Sequence, residues 1–282
     1  MRLALFCGEA AGARVLEALA RSGHELTHVL TAEASPAWPL AARLGLRPQP
    51  ARRVREPSFA AELRAARVEL ILNVHSLYIV PPAVLAAAPL GAYNLHPGPL
   101  PHYTGLNAPS WAIYNGEARH GVTVHRMAPG IDTGPIAFQE EFPIGENDTG
   151  LLLALRCAQK GVALVNRLVD VLARDPAALV LEYQDEKDRR YFGKEVPQGG
   201  RIDWNAPARR IYDFVRACDY APFASPWGTP RAVLEGKPVE IMKVAVTGER
   251  CDAPPGTVRN GSLVATADEW LALKKGSGPF FL

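Results

Sequence analysis

Short apolar runs alternate with helical patterns over the first 95 residues, and this alternation constrains the fold more than any other feature. Runs at residues 3–7, 26–31 and 68–74 have the length and composition of buried strands, and a helical pattern covers residues 13–22. Strands that alternate with helices are joined by right-handed crossovers and form a parallel sheet. The sequence therefore predicts an α/β domain built on a mostly parallel sheet.

The last third of the chain has a different pattern. A polar stretch at residues 182–200, rich in charge and glycine, shows no sustained period and is predicted to be a connector. Short apolar runs separated by turn residues follow it, which is typical of a small β-barrel or sandwich. We therefore predict three segments, which are residues 1–181, a connector at 182–200, and a smaller β-rich domain at 201–282.

Composition limits the classes of function. The 282 residues include 31 Lys and Arg against 29 Asp and Glu, a formal net charge of +2, which is too small for a protein that coats nucleic acid. The four cysteines are scattered without a Cys-x-x-Cys pair, so neither a zinc ribbon nor a disulfide framework is predicted. No apolar run approaches the length of a membrane span. We expect a cytoplasmic protein that acts on small molecules, without a metal.

An unusual proline-rich segment follows the predicted strand that ends near residue 95. It reads NLHPGPLPHYTG, and its alternating prolines exclude both a helix and an internal strand. Asn94 and His96 stand two residues apart, on the same side of the strand, at the carboxyl edge where open α/β sheets bind ligands. A later strand is followed by GIDTG, which places Asp132 in a turn. The three side chains are therefore predicted to meet at one edge of the sheet.

An amide, an imidazole and a carboxylate at one edge suit acyl transfer to an amine. Asn94 and His96 can donate hydrogen bonds to a developing oxyanion, and His96 with Asp132 can move protons. No G-x-S-x-G motif occurs and the loop has no cysteine, so direct attack by the amine is predicted instead of a covalent acyl-enzyme. Each residue also has a structural interpretation, because asparagine and aspartate beside glycine commonly form turns.

Other candidate motifs are weaker. Residues 8–12, Gly-Glu-Ala-Ala-Gly, depart from the G-x-G-x-x-G pattern of dinucleotide sites, and such turns often serve only close packing. His125 lies in the middle of a predicted strand and is interpreted as a structural histidine. His75, His102 and His120 have no ligand-like spacing, which disfavours a zinc site.

Several motifs resemble those of a known family. NLHPGPLPHYTG, followed by NGE, GVTVHRM and GIDTGPI, resembles the catalytic domain of formyltetrahydrofolate-dependent N-formyltransferases. The later GRIDW, FVRA and PPGTV resemble the C-terminal barrel-like domain of methionyl-tRNA and amino-sugar formyltransferases. The resemblance covers nearly the whole chain and implies a Rossmann-like catalytic domain, an OB-like C-terminal domain, and N10-formyltetrahydrofolate as formyl donor.

The resemblance also assigns site residues. Asn94, His96 and Asp132 fall on the family's catalytic triad. The segment HSLYIVPP aligns with the loop that grips the pterin, which implies cofactor contacts from Leu77, Tyr78 and Ile79. Acceptor contacts are expected from the proline-rich loop and the residues after it, namely His102, Tyr103, Thr104 and Asn107.

Two departures from the family pattern bear on the acceptor. Thr104 stands where the family loop often has arginine, and residues 31–46 lack the insertion rich in Lys and Arg that tRNA-acting members carry. Residues 201–282 contain 11 basic and 9 acidic residues, a weak charge for a tRNA surface. The sequence thus favours a small-molecule primary amine, such as an amino sugar nucleotide, an amino acid or a carrier-bound aminoacyl group. Methionyl-tRNA is the alternative acceptor, and an enzyme that does not use folate, or a binding protein that retains only the scaffold, is a third interpretation.

Overall fold

The computed structural model describes residues 1–76 and 78–274. The chain divides into two compact units that do not follow a single cut in the sequence. The first contains residues 1–105, 121–141 and 155–191, and the second contains residues 106–120, 142–154 and 192–282. Within the described residues, no helix is both long and apolar enough to cross a membrane.

A seven-stranded sheet organises the first unit. Its spatial order is β3-β2-β1-β4-β5-β7-β8. The strands from β3 to β5 run parallel, and β7 runs antiparallel to β5. The bounds are β1 Arg2–Cys7, β2 Glu25–Thr31, β3 Pro48–Pro50, β4 Leu70–Val74, β5 Ala92–His96, β7 Arg119–Arg126 and β8 Ile136–Pro143; the short β6 is Thr104–Gly105 and β9 is Tyr191–Phe192. The predicted mostly parallel, Rossmann-like sheet is confirmed.

Helices cover the central strands, which explains why those strands are apolar on both faces. Every residue of β4 is buried, as expected when both faces of a parallel sheet are covered. The helices of the first unit are α1 Glu9–Ala20, α2 Ala37–Arg43, α3 Phe59–Ala65, α4 Pro82–Leu85 and, from residue 155 onwards, α6 Gly150–Arg174; the second unit contains α5 Ala108–Tyr114 and α7 Ala208–Cys218. A large core cluster joins one face of the sheet to α3 and α4, with Phe6, Phe59 and Ile71 almost fully buried.

Glycines set the distance between two helices and the sheet. A Cβ atom on Gly12 of α1 would lie 2.8 Å from the Cβ of Cys7, so a side chain there would push the helix off β1. A Cβ atom on Gly161 of α6 would lie 2.7 Å from both δ carbons of Leu95 in β5. The first contact supports close packing as the role of the glycine pair at residues 8 and 12, and the second holds α6 tightly against the strand that carries Asn94 and His96.

The second unit is rich in short antiparallel strands. Strands β10 and β11 form a hairpin, and four further strands form a sheet in the order β12-β15-β14-β13. Their bounds are β10 Arg231–Leu234, β11 Lys237–Glu240, β12 Val244–Arg250, β13 Val258–Arg259, β14 Leu263–Ala265 and β15 Glu269–Leu273. The β-rich character predicted for this part of the chain is confirmed. Residues 239–246 form one mainly apolar run in the sequence, but the structure divides them between β11 and β12.

Helix α7 carries a buried ion pair within this unit. The guanidinium Nε of Arg216 lies 2.7 Å from a carboxylate oxygen of Asp213, and both side chains are more than nine-tenths buried. Arg216 also donates to the backbone carbonyl of Asp148 at 2.7 Å. These bonds satisfy charges that would otherwise be costly to bury.

Candidate active site

The end of β5 and the turn after β7 bring three of the predicted site residues together. Asn94 and His96 are among the last three residues of β5, the strand at which the parallel part of the sheet ends and the antiparallel β7 begins. Asp132 lies in the turn between β7 and β8 with φ of +55°. The turn folds back tightly, since a Cβ atom on Gly134 would lie only 1.8 Å from the carbonyl oxygen of Arg126. Glycine is therefore required there for Asp132 to reach the end of β5.

His96 is held between a carbonyl and a carboxylate. Its Nε2 lies 2.5 Å from the carbonyl oxygen of Tyr103, so Nε2–H donates to that carbonyl. Its Nδ1 faces Asp132 Oδ2 at 3.5 Å. Burial lowers the pKa of His96 below its ordinary value, while the charge of Asp132 and the carbonyl of Tyr103 act in the opposite direction. The imidazole is therefore neutral at neutral pH, with the lone pair on Nδ1.

Asp132 is ionised despite its burial. Burial alone would raise the pKa of Asp132, but His96, His125 and the backbone N–H of Gly105 outweigh it and lower that pKa well below its ordinary value. The Gly105 N–H donates to Asp132 Oδ2 at 3.0 Å. The backbone of Asp132 is also fixed, because the side-chain amide of Gln184 donates to the Asp132 carbonyl at 2.8 Å. The site thus contains a permanent negative charge in a set position.

Hydrogen bonds on both sides fix the side-chain amide of Asn94. Its Oδ1 accepts from Asn73 Nδ2 at 2.8 Å, and its Nδ2 lies 3.1 Å from His125 Nε2. His125 donates from Nδ1 to the carbonyl of Arg126 at 3.0 Å, which leaves a lone pair on Nε2 to accept from Asn94. The second N–H of Asn94 points towards Asp132 Oδ1 at the longer distance of 3.4 Å. One amide N–H is therefore held only weakly by the protein.

The arrangement combines a hydrogen-bond donor with a neutral base and a fixed anion. The weakly bonded N–H of Asn94 can donate to an oxygen that becomes negative during a reaction. The lone pair of His96 Nδ1 can accept a proton, and Asp132 stabilises the imidazolium that results. This set of groups matches the chemistry of acyl transfer to an amine.

The predicted pterin loop lies partly within the described residues. Leu77 falls outside them. Ile79 is 70% exposed, which is unusual for so large an aliphatic side chain. The ring of Tyr78 packs against the core, with the guanidinium carbon of Arg55 5.0 Å from its centroid. The cofactor contacts of these three residues stay predictions.

The four predicted acceptor residues have different environments. His102 is exposed, and its Nδ1 lies 3.2 Å from the carbonyl of Asp188. Tyr103 and Thr104 are buried; Thr104 donates to the carbonyl of Pro101 at 3.0 Å. Asn107 belongs to the second unit, where it precedes α5 with φ of +56°. Their role in acceptor binding also stays a prediction.

Three residues near the triad were not predicted as part of the site. His125, interpreted from the sequence as structural, contacts both Asn94 and Asp132. The sequence placed His125 only in the middle of a strand. The antiparallel register of β7 with β5 is what pairs it with Asn94. Gln184 lay in the predicted connector, and Asn73 lay in a strand whose other residues are apolar. A single polar residue in such a strand was a signal that could have been used.

The fold and the site together are those expected of an α/β enzyme that transfers a chemical group. The formyl transferase model matches residues 11–169, and the model of the formyl transferase C-terminal domain matches residues 196–277. The chain belongs to the formyl transferase family, as its motifs predicted.

Sequence relatives and solved structures point to different members of this family. The methionyl-tRNA formyltransferase of Solibacter usitatus is 33% identical, with 95% of this chain and 88% of that protein covered. The methionyl-tRNA formyltransferase of Chlorobium luteolum is 32% identical over 86% of this chain and 76% of its own length.

The similar solved structures include sugar N-formyltransferases, together with HypX from Aquifex aeolicus and a glycinamide ribonucleotide transformylase. WlaRD, a sugar 3N-formyl transferase solved in the presence of dTDP and 5-N-formyl-THF, has a TM-score of 0.75 at 16% identity, covering 99% of this chain and 98% of that one. The N-formyltransferase from Helicobacter canadensis, in complex with folinic acid and dTDP-3-aminofucose, has a TM-score of 0.73 at 17% identity, with 96% and 98% covered. At this identity the similarity establishes the fold alone.

Proposed function

We propose that this formyltransferase moves the formyl group of N10-formyltetrahydrofolate to a primary amine, with Asn94, His96 and Asp132 as its catalytic residues. The observation that carries the proposal is the meeting of these three side chains at the carboxyl edge of the sheet. The folate donor is supported by the formyl-folate compounds named with both sugar N-formyltransferase structures.

The residues beside the triad fit a folate donor. The side chain of Ile79 is 70% exposed and offers an apolar surface for a ring system. We propose that the segment around Tyr78 and Ile79 holds the pterin. The donor supplies an N-formyl carbon that an amine can attack.

His96 acts as the base in this proposal. Its Nε2–H is committed to the carbonyl of Tyr103, so Nδ1 is the atom that takes the proton of the attacking amine. The imidazolium formed in this way lies against the ionised carboxylate of Asp132 at 3.5 Å. The same proton can then be returned to the nitrogen that leaves, which makes His96 first a base and then an acid.

Asn94 acts as the hydrogen-bond donor. Negative charge develops on the formyl oxygen as the amine attacks, and a donor aimed at that oxygen lowers the barrier. The amide N–H that faces Asp132 at 3.4 Å is the one available for this role. Removal of a single donor of this kind costs about a hundred- to a thousandfold in kcat.

For the acceptor, we propose the amino group of methionyl-tRNA. The support is the 33% identity to a methionyl-tRNA formyltransferase over 95% of this chain, which includes the C-terminal domain. This reverses the preference that the sequence alone gave. A small-molecule amine is the second candidate, because residues 201–282 hold only 11 basic against 9 acidic residues, and residues 31–46 contain a single basic residue.

The acceptor is tested by measuring tetrahydrofolate release with methionyl-tRNA, with dTDP-linked amino sugars, and with free amino acids. Turnover with methionyl-tRNA at least a hundredfold above the other acceptors is expected. Turnover restricted to a small amine would reject this acceptor and leave the formyl transfer intact. Calorimetric titration with 5-formyltetrahydrofolate tests whether the protein binds the formyl donor at all. A protein that does not bind it would show no heat of binding, whichever acceptor is supplied.

The catalytic residues are tested by His96→Ala and Asn94→Ala. Both variants should stay folded and lose at least a hundredfold in kcat. His24→Gln is the matched control, since His24 precedes β2 at the opposite edge of the sheet and should keep normal turnover. Near-normal turnover of His96→Ala would contradict the assignment.

A further inference from the structure

Asn73 is a polar residue in a buried strand. It occupies the fourth position of β4, where the other four residues are aliphatic, and its side chain is only 6% exposed. In the parallel register of β4 and β5, Asn73 stands directly beside Asn94. A buried asparagine has to find partners for its amide, because an unpaired polar group in the core lowers the stability of the fold.

The amide of Asn73 is paired on one side only. Its Nδ2 donates to Asn94 Oδ1 at 2.8 Å and lies 3.3 Å from the carbonyl of Ser76. The carbonyl of Ser76 can only accept a hydrogen bond, so the nitrogen of Asn73 must face it and the amide cannot be turned over. Its Oδ1 is buried and has no hydrogen-bond partner among the described residues. The protein thus keeps a destabilising oxygen in order to present an N–H to Asn94.

The orientation of Asn73 sets the orientation of Asn94. Because Asn94 Oδ1 accepts from Asn73, the NH₂ group of Asn94 must point to the other side. There it meets the Nε2 lone pair of His125 at 3.1 Å and Asp132 Oδ1 at 3.4 Å. An Asn94 amide turned by 180° would place its oxygen against the carboxylate and would have no N–H to donate. Asn73 therefore favours the catalytically useful orientation.

We propose that Asn73 is a positioning residue for formyl transfer, which holds the side-chain amide of Asn94 with its N–H directed into the reaction site. The inference rests on the proposed function, since it acts through the donor role of Asn94. It predicts that Asn73 affects the chemical step more than the binding of either substrate. It also predicts that the effect of Asn73 disappears when Asn94 is absent.

The experiment compares Asn73→Ala and Asn73→Asp by steady-state kinetics with the best acceptor. Asn73→Ala removes the guiding N–H, and we expect kcat to fall about tenfold, a part of the loss for a direct donor, with both KM values within twofold. Asn73→Asp has the same size but places an acceptor against Asn94 Oδ1, which favours the reversed amide, so its kcat should fall further. Thr27→Val, which removes a hydrogen bond to the carbonyl of Leu3 at the opposite edge, is the control and should keep normal kcat.

A double-mutant cycle distinguishes positioning from a general structural effect. In the Asn94→Ala background, Asn73→Ala should reduce kcat by less than twofold. Thermal denaturation of each variant checks the fold, and if Asn73→Ala does not fold, Asn73→Asp carries the same cycle.

Two results would overturn the inference while the proposed function stands. One is a wild-type enzyme with strong formyl transfer whose Asn73→Ala variant keeps kcat within twofold. The other is an equal loss in the presence and absence of Asn94. A wild-type protein that transfers no formyl group to any acceptor would overturn both proposals.

Discussion

Replacement of Asp132 by asparagine removes one negative charge beside His96 and leaves the shape of the side chain unchanged. We expect this variant to fold, because the remaining amide oxygen can still accept from the N–H of Gly105. Its formyl transfer should be slower, and its pH dependence should be displaced. The two effects have the same cause, which is the loss of charge stabilisation for the imidazolium of His96.

The size of the effect follows from the geometry of the pair. His96 Nδ1 and Asp132 Oδ2 are 3.5 Å apart, and only 4% and 10% of the two side chains are exposed. An opposite charge at such a distance displaces a pKa by about one to three units. Each unit corresponds to about 1.4 kcal/mol of imidazolium stabilisation. If this stabilisation is present in the transition state, Asp132→Asn lowers the plateau of kcat by about ten- to a thousandfold.

The direction of the pH effect is also fixed. Activity requires neutral His96, so it rises with pH through the pKa of His96, which burial lowers below its ordinary value. Asp132 raises that pKa, so its removal moves the rising limb to lower pH even as the plateau falls. The assay is tetrahydrofolate release from about pH 5 to 9, the range in which histidines titrate.

His125 also faces Asp132 and therefore needs a control. His125 Nε2 lies 3.4 Å from Asp132 Oδ1. The variant His125→Gln removes the imidazole, and a rising limb should still be present if it belongs to His96. A plateau within threefold of wild type for Asp132→Asn, or a limb that moves to higher pH, would refute the reasoning.

Three substitutions test the packing that supports the site and the second unit. Gly134→Ala should abolish activity, measured by tetrahydrofolate release, since the new Cβ would lie 1.8 Å from the carbonyl oxygen of Arg126 and displace the turn of Asp132. Gly161→Ala should lower the free energy of unfolding by about 1–3 kcal/mol in a urea titration, because its Cβ would lie 2.7 Å from the leucine of β5. Arg216→Met should cost about 1–3 kcal/mol by the same measurement, as it removes the partner of Asp213 Oδ1 and leaves only Arg209, at 3.1 Å from Oδ2, whereas replacing both Arg216 and Asp213 with apolar side chains should recover much of that loss.

Much of the fold could be predicted from local patterns. Periodic apolar positions predict helices over residues 151–173 and 207–217, and these helices are observed as Gly150–Arg174 and Ala208–Cys218. Long amphipathic helices have many periodic positions, so their bounds are well defined by sequence. The division of residues 239–246 between two strands could not be predicted, because a turn inside a short apolar run leaves no periodic signal.

The segment predicted as a connector, residues 182–200, shows that polar composition does not determine which part of the fold a segment joins. Residues 182–191 are polar, yet they belong to the first compact unit, and Gln184 donates to the backbone carbonyls of Asp132 and Gly134 at 2.8 and 2.6 Å. Polar composition reports exposure of side chains and says little about which backbone groups they reach. The contact joins residues about 50 positions apart, which no local pattern encodes.

The sequence by itself determined the order of strands and helices, the edge of the sheet at which Asn94 and His96 lie, and the family to which the chain belongs. Periodicity and motif spacing carry this information because they depend on neighbouring residues. The tertiary structure alone decided how the site is held: the antiparallel register that pairs His125 with Asn94, and the N–H of Asn73 that orients the Asn94 amide. These depend on which strands pair and on side-chain rotation, and both are fixed only when distant segments pack together.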